Sequence, residues 1–165
     1  MRVGTGRDLS LHACQLSTKK MQLSKNFTLE ELTRTHSKLP NIPTQADIER
    51  LQALVNNVLQ PLRDLYGKAI CVNSGYRSQA VNREQGGTSR PLSQHCKGEA
   101  ADIEVVDNGL LFRLIRTNLP FDQLIWEAGN DYQPAWVHVS YSTKGNRKQV
   151  LRMKVVEGKK RYEAM

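Results

Sequence analysis

No stretch of the 165-residue chain approaches the roughly 20 consecutive apolar residues that a bilayer-crossing helix needs. The first 20 residues (MRVGTGRDLSLHACQLSTKK) also lack the continuous apolar segment of a secretory signal. The expectation is therefore no membrane insertion, synthesis into the cytoplasm and no evident export route. Cysteine is scarce: Cys14, Cys71 and Cys96 form an odd set without CxxC spacing, which argues against a disulfide framework and against a cysteine-held structural zinc. No GK[ST] follows the Gly86–Gly87 pair, so these glycines are read as a loop rim rather than a phosphate cradle.

What is present describes one ordinary globular domain, with 39% hydrophobic and 24% charged residues. A chain of this size removes roughly two-thirds of its unfolded surface from water, so a bound metal would serve function rather than substitute for a core. The formal net charge is +8, but it is unevenly placed. Arg2, Arg7, Lys19 and Lys20 against Asp8 give residues 1–20 a net +3, and eight Lys or Arg against Glu157 and Glu163 give residues 144–165 a net +6, which leaves −1 between them. Basic ends without a continuous stripe favour general attraction to a polyanion over sequence reading, so nucleic acid is not the expected partner.

Residues 1–20 show no apolar periodicity and are read as a loose extension, with a single domain over 21–165. In FTLEEL, Thr28 and Glu31 make a capping box and Phe27 can staple onto Leu32, so a short helix begins there. Thr44 and Asp47 open a second helix with Ile48, Leu51, Val55, Val58, Leu62 and Leu65 along one stripe, ended by Gly67 and kinked or divided by Pro61. From residue 69 the period shifts towards two. AICVNS, ADIEVV, QLIWE and AWVHVSY read as strands, SQAVNREQ as a helix capped by Ser78, and GLLFRLIRTNL as a further helix. GNDYQP has hairpin length, which makes QLIWE and AWVHVSY neighbours. QVLRMKVV is expected as an edge strand guarded by Arg152 and Lys154. The predicted class is α+β, with a central antiparallel sheet and helices on one side.

Side chains at i and i+2 share a face of a strand. Ala101, Ile103 and Val105 turn one way, leaving Asp102 and Glu104 on the other face. The same alternation sets Trp136, His138 and Ser140 against Val137, Val139 and Tyr141, and Gln123, Ile125 and Glu127 against Leu124 and Trp126. One face thus collects Asp102, Glu127 and His138, and His95 at the end of a Gly- and Ser-rich loop adds a second imidazole. Two distant histidines are more often unrelated, yet two imidazoles with carboxylates suit Zn²⁺, which takes such ligands tetrahedrally and leaves a position for water at a catalytic centre. His95, Asp102 and His138 would hold one zinc ion, with Glu127 taking the proton of the attacking water. Glu99 and Glu104 remain alternative carboxylates.

Three strings carry a resemblance: SGYRS (Ser74–Ser78), SQHCKGEAADI (Ser93–Ile103) and WVHVSY (Trp136–Tyr141). They resemble the zinc D-alanyl-D-alanine carboxypeptidase family of cell-wall peptidases, whose fold is shared with the hedgehog signalling domain. The His-x6-Asp pattern with internal Gly-x-Ala is present as His95, Gly98, Ala100 and Asp102. Similarity runs from about Phe27 to about Val150 and is of the kind seen in small phage and prophage wall-lytic, endolysin-like enzymes. The resemblance implies that His95, Asp102 and His138 bind the metal and that Arg77 steadies the negative oxygen on the attacked carbonyl. Many members carry a catalytic Glu where this chain has Ala135; the hedgehog-like arrangement instead ends the preceding strand with a glutamate, which matches Glu127. Ser93 and Gln94 are candidate substrate contacts or loop formers, Trp136 a candidate cleft wall, and Cys96 a neighbour rather than a ligand. The expected activity is zinc-dependent hydrolysis of peptidoglycan peptide stems by a monomer that reaches the wall after release, with a non-catalytic zinc-containing wall-binding module of hedgehog type as the alternative.

Overall fold

The structure, a computed structural model, describes residues 20–165, so all of the proposed extension except Lys20 lies outside the described residues. Helix α1 (Leu29–Thr33) starts where Thr28 accepts the Glu31 amide, while Glu30 rather than Glu31 reaches back, to the Met21 amide. Phe27 and Leu32 are both buried, as a staple requires. Helix α2 (Gln45–Leu54) has a complete capping box between Thr44 and Asp47.

The division expected at Pro61 takes the form of a π turn, with Pro61 in the first turn of the segment that follows. A π turn, Val55–Leu59, joins α2 to α3 (Gln60–Tyr66), and the Gln60 amide reaches back to the Val55 carbonyl. The widened turn takes up the missing proline donor and keeps the ring clear of the preceding carbonyls. It also rotates the residues on its C-terminal side: Leu59 and Leu62 are fully buried, whereas Leu65, expected on the buried stripe, is 51% exposed. Gly67, at φ +74°, ends the helix in the left-handed conformation.

The strands β1 (Cys71–Ser74), β2 (Ala100–Glu104), β3 (Gln123–Glu127), β4 (Trp136–Ser140), β5 (Gln149–Val156) and β6 (Lys159–Ala164) form one sheet in the order β1-β2-β4-β3-β5-β6. Helices α4 (Gln79–Glu84), capped by Ser78, and α5 (Asn108–Asn118), capped by Asp107, lie between them in sequence. The pairing is antiparallel except for β5, which runs parallel to β3. QVLRMKVV is therefore not the edge strand expected from its charges. β6 pairs along its outer side, and Arg152 and Lys154 are engaged with Asp131 and Glu163. The hairpin turn that makes this possible is Glu157–Gly158, with φ of +51° and +73°, the backbone twist a two-residue hairpin favours.

The sheet's two faces have opposite chemistry. Ala101, Ile103, Leu124, Trp126, Val137 and Val139 enter one core with Leu51, Leu54, Val58 and Leu62 of the long helix and Leu111, Phe112 and Ile115 of α5. Phe112 meets Trp126 edge to face at 5.2 Å. The helices cover this face, and alternation sends Asp102, Glu127 and His138 to the other. If the π turn sets the burial pattern, Leu62→Ala costs about 2–5 kcal/mol in urea unfolding, whereas Leu65→Ala costs less than about 1 kcal/mol.

Candidate metal centre

Register brings the first two donors together. Asp102 of β2 and His138 of β4 are direct cross-strand partners, and Ile125 of β3 continues the same row. His95 arrives from a single 3₁₀ turn, Gln94–Lys97, whose orientation is fixed on several sides. The Arg77 amide donates to the His95 carbonyl at 3.1 Å, and the Arg50 Nε donates to the Lys97 carbonyl at 2.5 Å. Gly98 closes the turn at φ +71°, where an added Cβ would press on the Asp47 carbonyl. This is a physical reason for glycine inside the His-x6-Asp pattern.

His95 Nε2, Asp102 Oδ1 and His138 Nδ1 converge. They lie 3.2 Å apart between the imidazoles, 3.4 Å from His95 to Asp102 and 3.0 Å from His138 to Asp102. Tetrahedral zinc with bonds of about 2.0–2.1 Å requires donors about 3.3 Å apart, so this set fits the ion. The ring nitrogen of His95 that faces away, Nδ1, is 2.7 Å from the Gly75 carbonyl. Donation to that carbonyl fixes the tautomer that presents the Nε2 lone pair to a metal. Burial alone would raise the Asp102 carboxyl, but the charges and hydrogen bonds of His95 and His138 hold it well below the usual carboxylate range. It is a ready anionic ligand.

The other candidates divide. Arg77 stands at the centre, its Nε on Ser74 Oγ at 2.7 Å and its Nη2 on Asp102 Oδ2 at 2.6 Å. Its Nη1 has no hydrogen bond within the described residues. Glu127 ends β3, buried, on the same face and directly opposite Trp136. Burial pushes its carboxyl up, partly offset by His138, and its Oε2 has no hydrogen-bond partner among the described residues. Ser93, Gln94 and Trp136 line an open cleft of about 1440 Å³ around the centre, as do Glu99, Gly86 and Gly87. Glu104, by contrast, is exposed and receives the Asn73 amide, and neither Glu99 nor Glu104 joins the three-donor cluster. Cys96 is buried and its thiol is pushed up by that burial.

Two features of the cleft are absent from the sequence reading. Asp122, buried just before β3, accepts from the Arg147 backbone amide at 2.9 Å, from Arg147 Nη2 at 2.6 Å and from Gln94 Nε2 at 2.9 Å. It thereby ties the turn carrying His95 to the loop beyond β4. The other feature is β6, which brings Lys160 and Tyr162 into the cleft lining.

His138→Ala is expected to lose most bound zinc by elemental analysis, since two remaining donors do not make a catalytic-type site. For Asp122, the hydrogen bonds of Arg147 draw the carboxyl from 3.8 down to about 2. A folded value below the unfolded one means stability that is complete above the unfolded value and is lost as pH falls from about 4 to about 2. Asp122→Asn should therefore show a shallower acid loss of melting temperature across that window than the wild type.

The comparisons agree with this geometry. The family model described as Peptidase M15 matches residues 25–140. The zinc D-Ala-D-Ala carboxypeptidase of Streptomyces albus G is 40% identical over 86 residues, which cover 51% of this chain but only 33% of that protein. The match thus spans about a third of the curated relative. With its three-donor centre on the open face of an α+β sheet, the chain belongs to the M15 peptidase family.

Proposed function

We propose that this protein is a zinc-dependent peptidase that hydrolyses peptide stems of bacterial peptidoglycan, as a D,D-carboxypeptidase or endopeptidase. The observation that carries the reading is the juxtaposition of three convergent metal donors with a buried, proton-attracting carboxyl at the head of a peptide-sized cleft. The cleft, at about 1440 Å³, exceeds the ~300–1,000 Å³ of ordinary small-molecule pockets, and several cations, among them Lys97, Lys144 and Lys160, line it. Lys97, Lys144 and Lys160 have no ion-pair partner among the described residues, whereas Arg50, Arg77 and Arg147 are paired with carboxylates, so those three lysines are the cations left to meet an anionic group of a peptide. The activity named for the Streptomyces albus relative points the same way.

His95, Asp102 and His138 would hold the zinc, which when bound supplies Lewis acidity at the scissile carbonyl and at the attacking water. Glu127 accepts the water proton at its carboxylate as the oxygen–carbon bond forms. A carboxyl whose proton affinity is raised by burial is suited to take that proton and to return it. The amide carbon–nitrogen bond then breaks, and the same proton passes from Glu127 to the leaving nitrogen. Arg77, held beside the metal donors by Ser74 and Asp102, is the group that would donate to the developing oxyanion. Gln94 and Ser93 sit on the wall beside His95 and Trp136 on the wall beside Glu127, as contacts for the substrate chain.

The test is Glu127→Gln, assayed on muropeptides by mass spectrometry with zinc content measured alongside. The account predicts cleaved stems from the wild type and a fall of about 10²–10⁴ in kcat for the variant at unchanged zinc. Zinc and wall binding without any cleaved stem in the wild type would identify a non-catalytic module instead.

A further inference from the structure

The strand β6 lies beyond the residues that match the family, yet it reaches the catalytic face. Its register with β5 is Met153↔Tyr162 and Val155↔Lys160, and Met153 is in turn the partner of Glu127. Three successive rows therefore cross the sheet. The first holds Asp102, His138 and Ile125. The second holds Trp136, Glu127, Met153 and Tyr162. The third, one pleat further along, holds Lys160.

Rows on one face are about 6.6–6.8 Å apart and adjacent strands about 4.8 Å apart. Lys160 thus stands past the catalytic base, on the side away from the metal donors. Its side chain is long enough to bring the ammonium back towards Glu127. It has no ion-pair partner within the described residues, unlike Arg50, Arg77 and Arg147 of the same cleft. It is also close enough that its charge lowers the Glu127 carboxyl against the effect of burial. Tyr162, half-exposed, lines the same cleft, and its phenol is a neutral hydrogen-bond donor at neutral pH.

Because Glu127 returns its proton to the leaving nitrogen, the leaving residue must lie beside Glu127. In an amino acid the carboxylate carbon is only two bonds from that nitrogen. We propose that Lys160 and Tyr162 form a subsite for the free carboxylate of the leaving residue, which makes β6 a determinant of terminal over internal cleavage. Lys160 supplies the cation and Tyr162 a neutral donor, a combination that recognises a carboxylate by charge-assisted hydrogen bonds. The inference rests on the peptidase reading and narrows it to removal of a terminal residue.

The experiment compares an acetylated stem mimic ending in D-Ala-D-Ala with the same peptide carrying a C-terminal carboxamide, on the zinc-loaded full chain. The wild type should favour the free acid in kcat/KM by about tenfold to a hundredfold, the worth of a hydrogen bond to a charged group. Lys160→Gln should collapse that ratio towards one, chiefly through KM, and Tyr162→Phe should reduce it by a smaller factor. Equal cleavage of acid and amide by the wild type, or a ratio that survives Lys160→Gln, overturns the subsite while leaving the peptidase reading intact. Calorimetric binding of both peptides to Glu127→Gln and to the Glu127→Gln, Lys160→Gln double variant separates the two claims. If no peptide is cleaved, an acid preference in binding that Lys160→Gln removes supports the subsite alone, and equal binding of acid and amide overturns it.

Discussion

Two imidazole nitrogens and a carboxylate oxygen stand 3.0–3.4 Å from one another on this protein, the spacing of ligands around one metal ion. The Arg77 guanidinium lies beside them, its Nη2 3.2 Å from His95 Nε2 and 2.6 Å from Asp102 Oδ2, so a fixed cation borders the point on which they converge. Everything around the centre works to hold the donors there. The His95 Nδ1–Gly75 contact fixes one ring, the Asp102↔His138 pairing fixes the other two groups, and the Arg77 guanidinium occupies the second oxygen of Asp102. The metal thus inherits an arrangement already set by strand register and by one tight turn.

That arrangement depends on the sheet having one dry face and one wet face. The apolar side chains of β2, β3 and β4 alternate strictly, and the long helix and α5 close over them. Buried apolar packing therefore aims the polar set outward, and a one-residue slip of β2 against β4 would exchange Asp102 for an apolar neighbour. Stability and chemistry are coupled through this register. Asp122 adds a second coupling, since a single buried carboxylate joins Gln94, next to His95, to Arg147 on the far wall of the cleft.

Much of this was legible in the amino-acid sequence because it rests on short-range patterns. Period-two alternation in ADIEVV and WVHVSY placed Asp102 and His138 on one face, and Thr44, Ser78 and Gly67 marked helix ends where the structure has them. Long-range pairing was not legible. Nothing local indicates that QVLRMKVV runs parallel to β3 and is covered by another strand; the Glu157–Gly158 pair between two alternating runs was the available signal, obscured by the charge density of KKRYEA. Leu65 was misplaced because a π turn adds a residue that helical periodicity does not anticipate. Asp122 carries no motif, and its importance emerges only when Arg147 and Gln94 are brought to it by tertiary structure.

The central claim is that one zinc ion is held by two imidazoles and the Asp102 carboxylate. X-ray absorption at the zinc edge of the metal-loaded full chain tests it most directly. The account predicts a first shell of nitrogen and oxygen at about 2.0–2.1 Å, with multiple scattering from two imidazole rings. A sulfur shell at about 2.3 Å, which would bring in a cysteine such as Cys96, or the signature of fewer than two imidazoles, would contradict it.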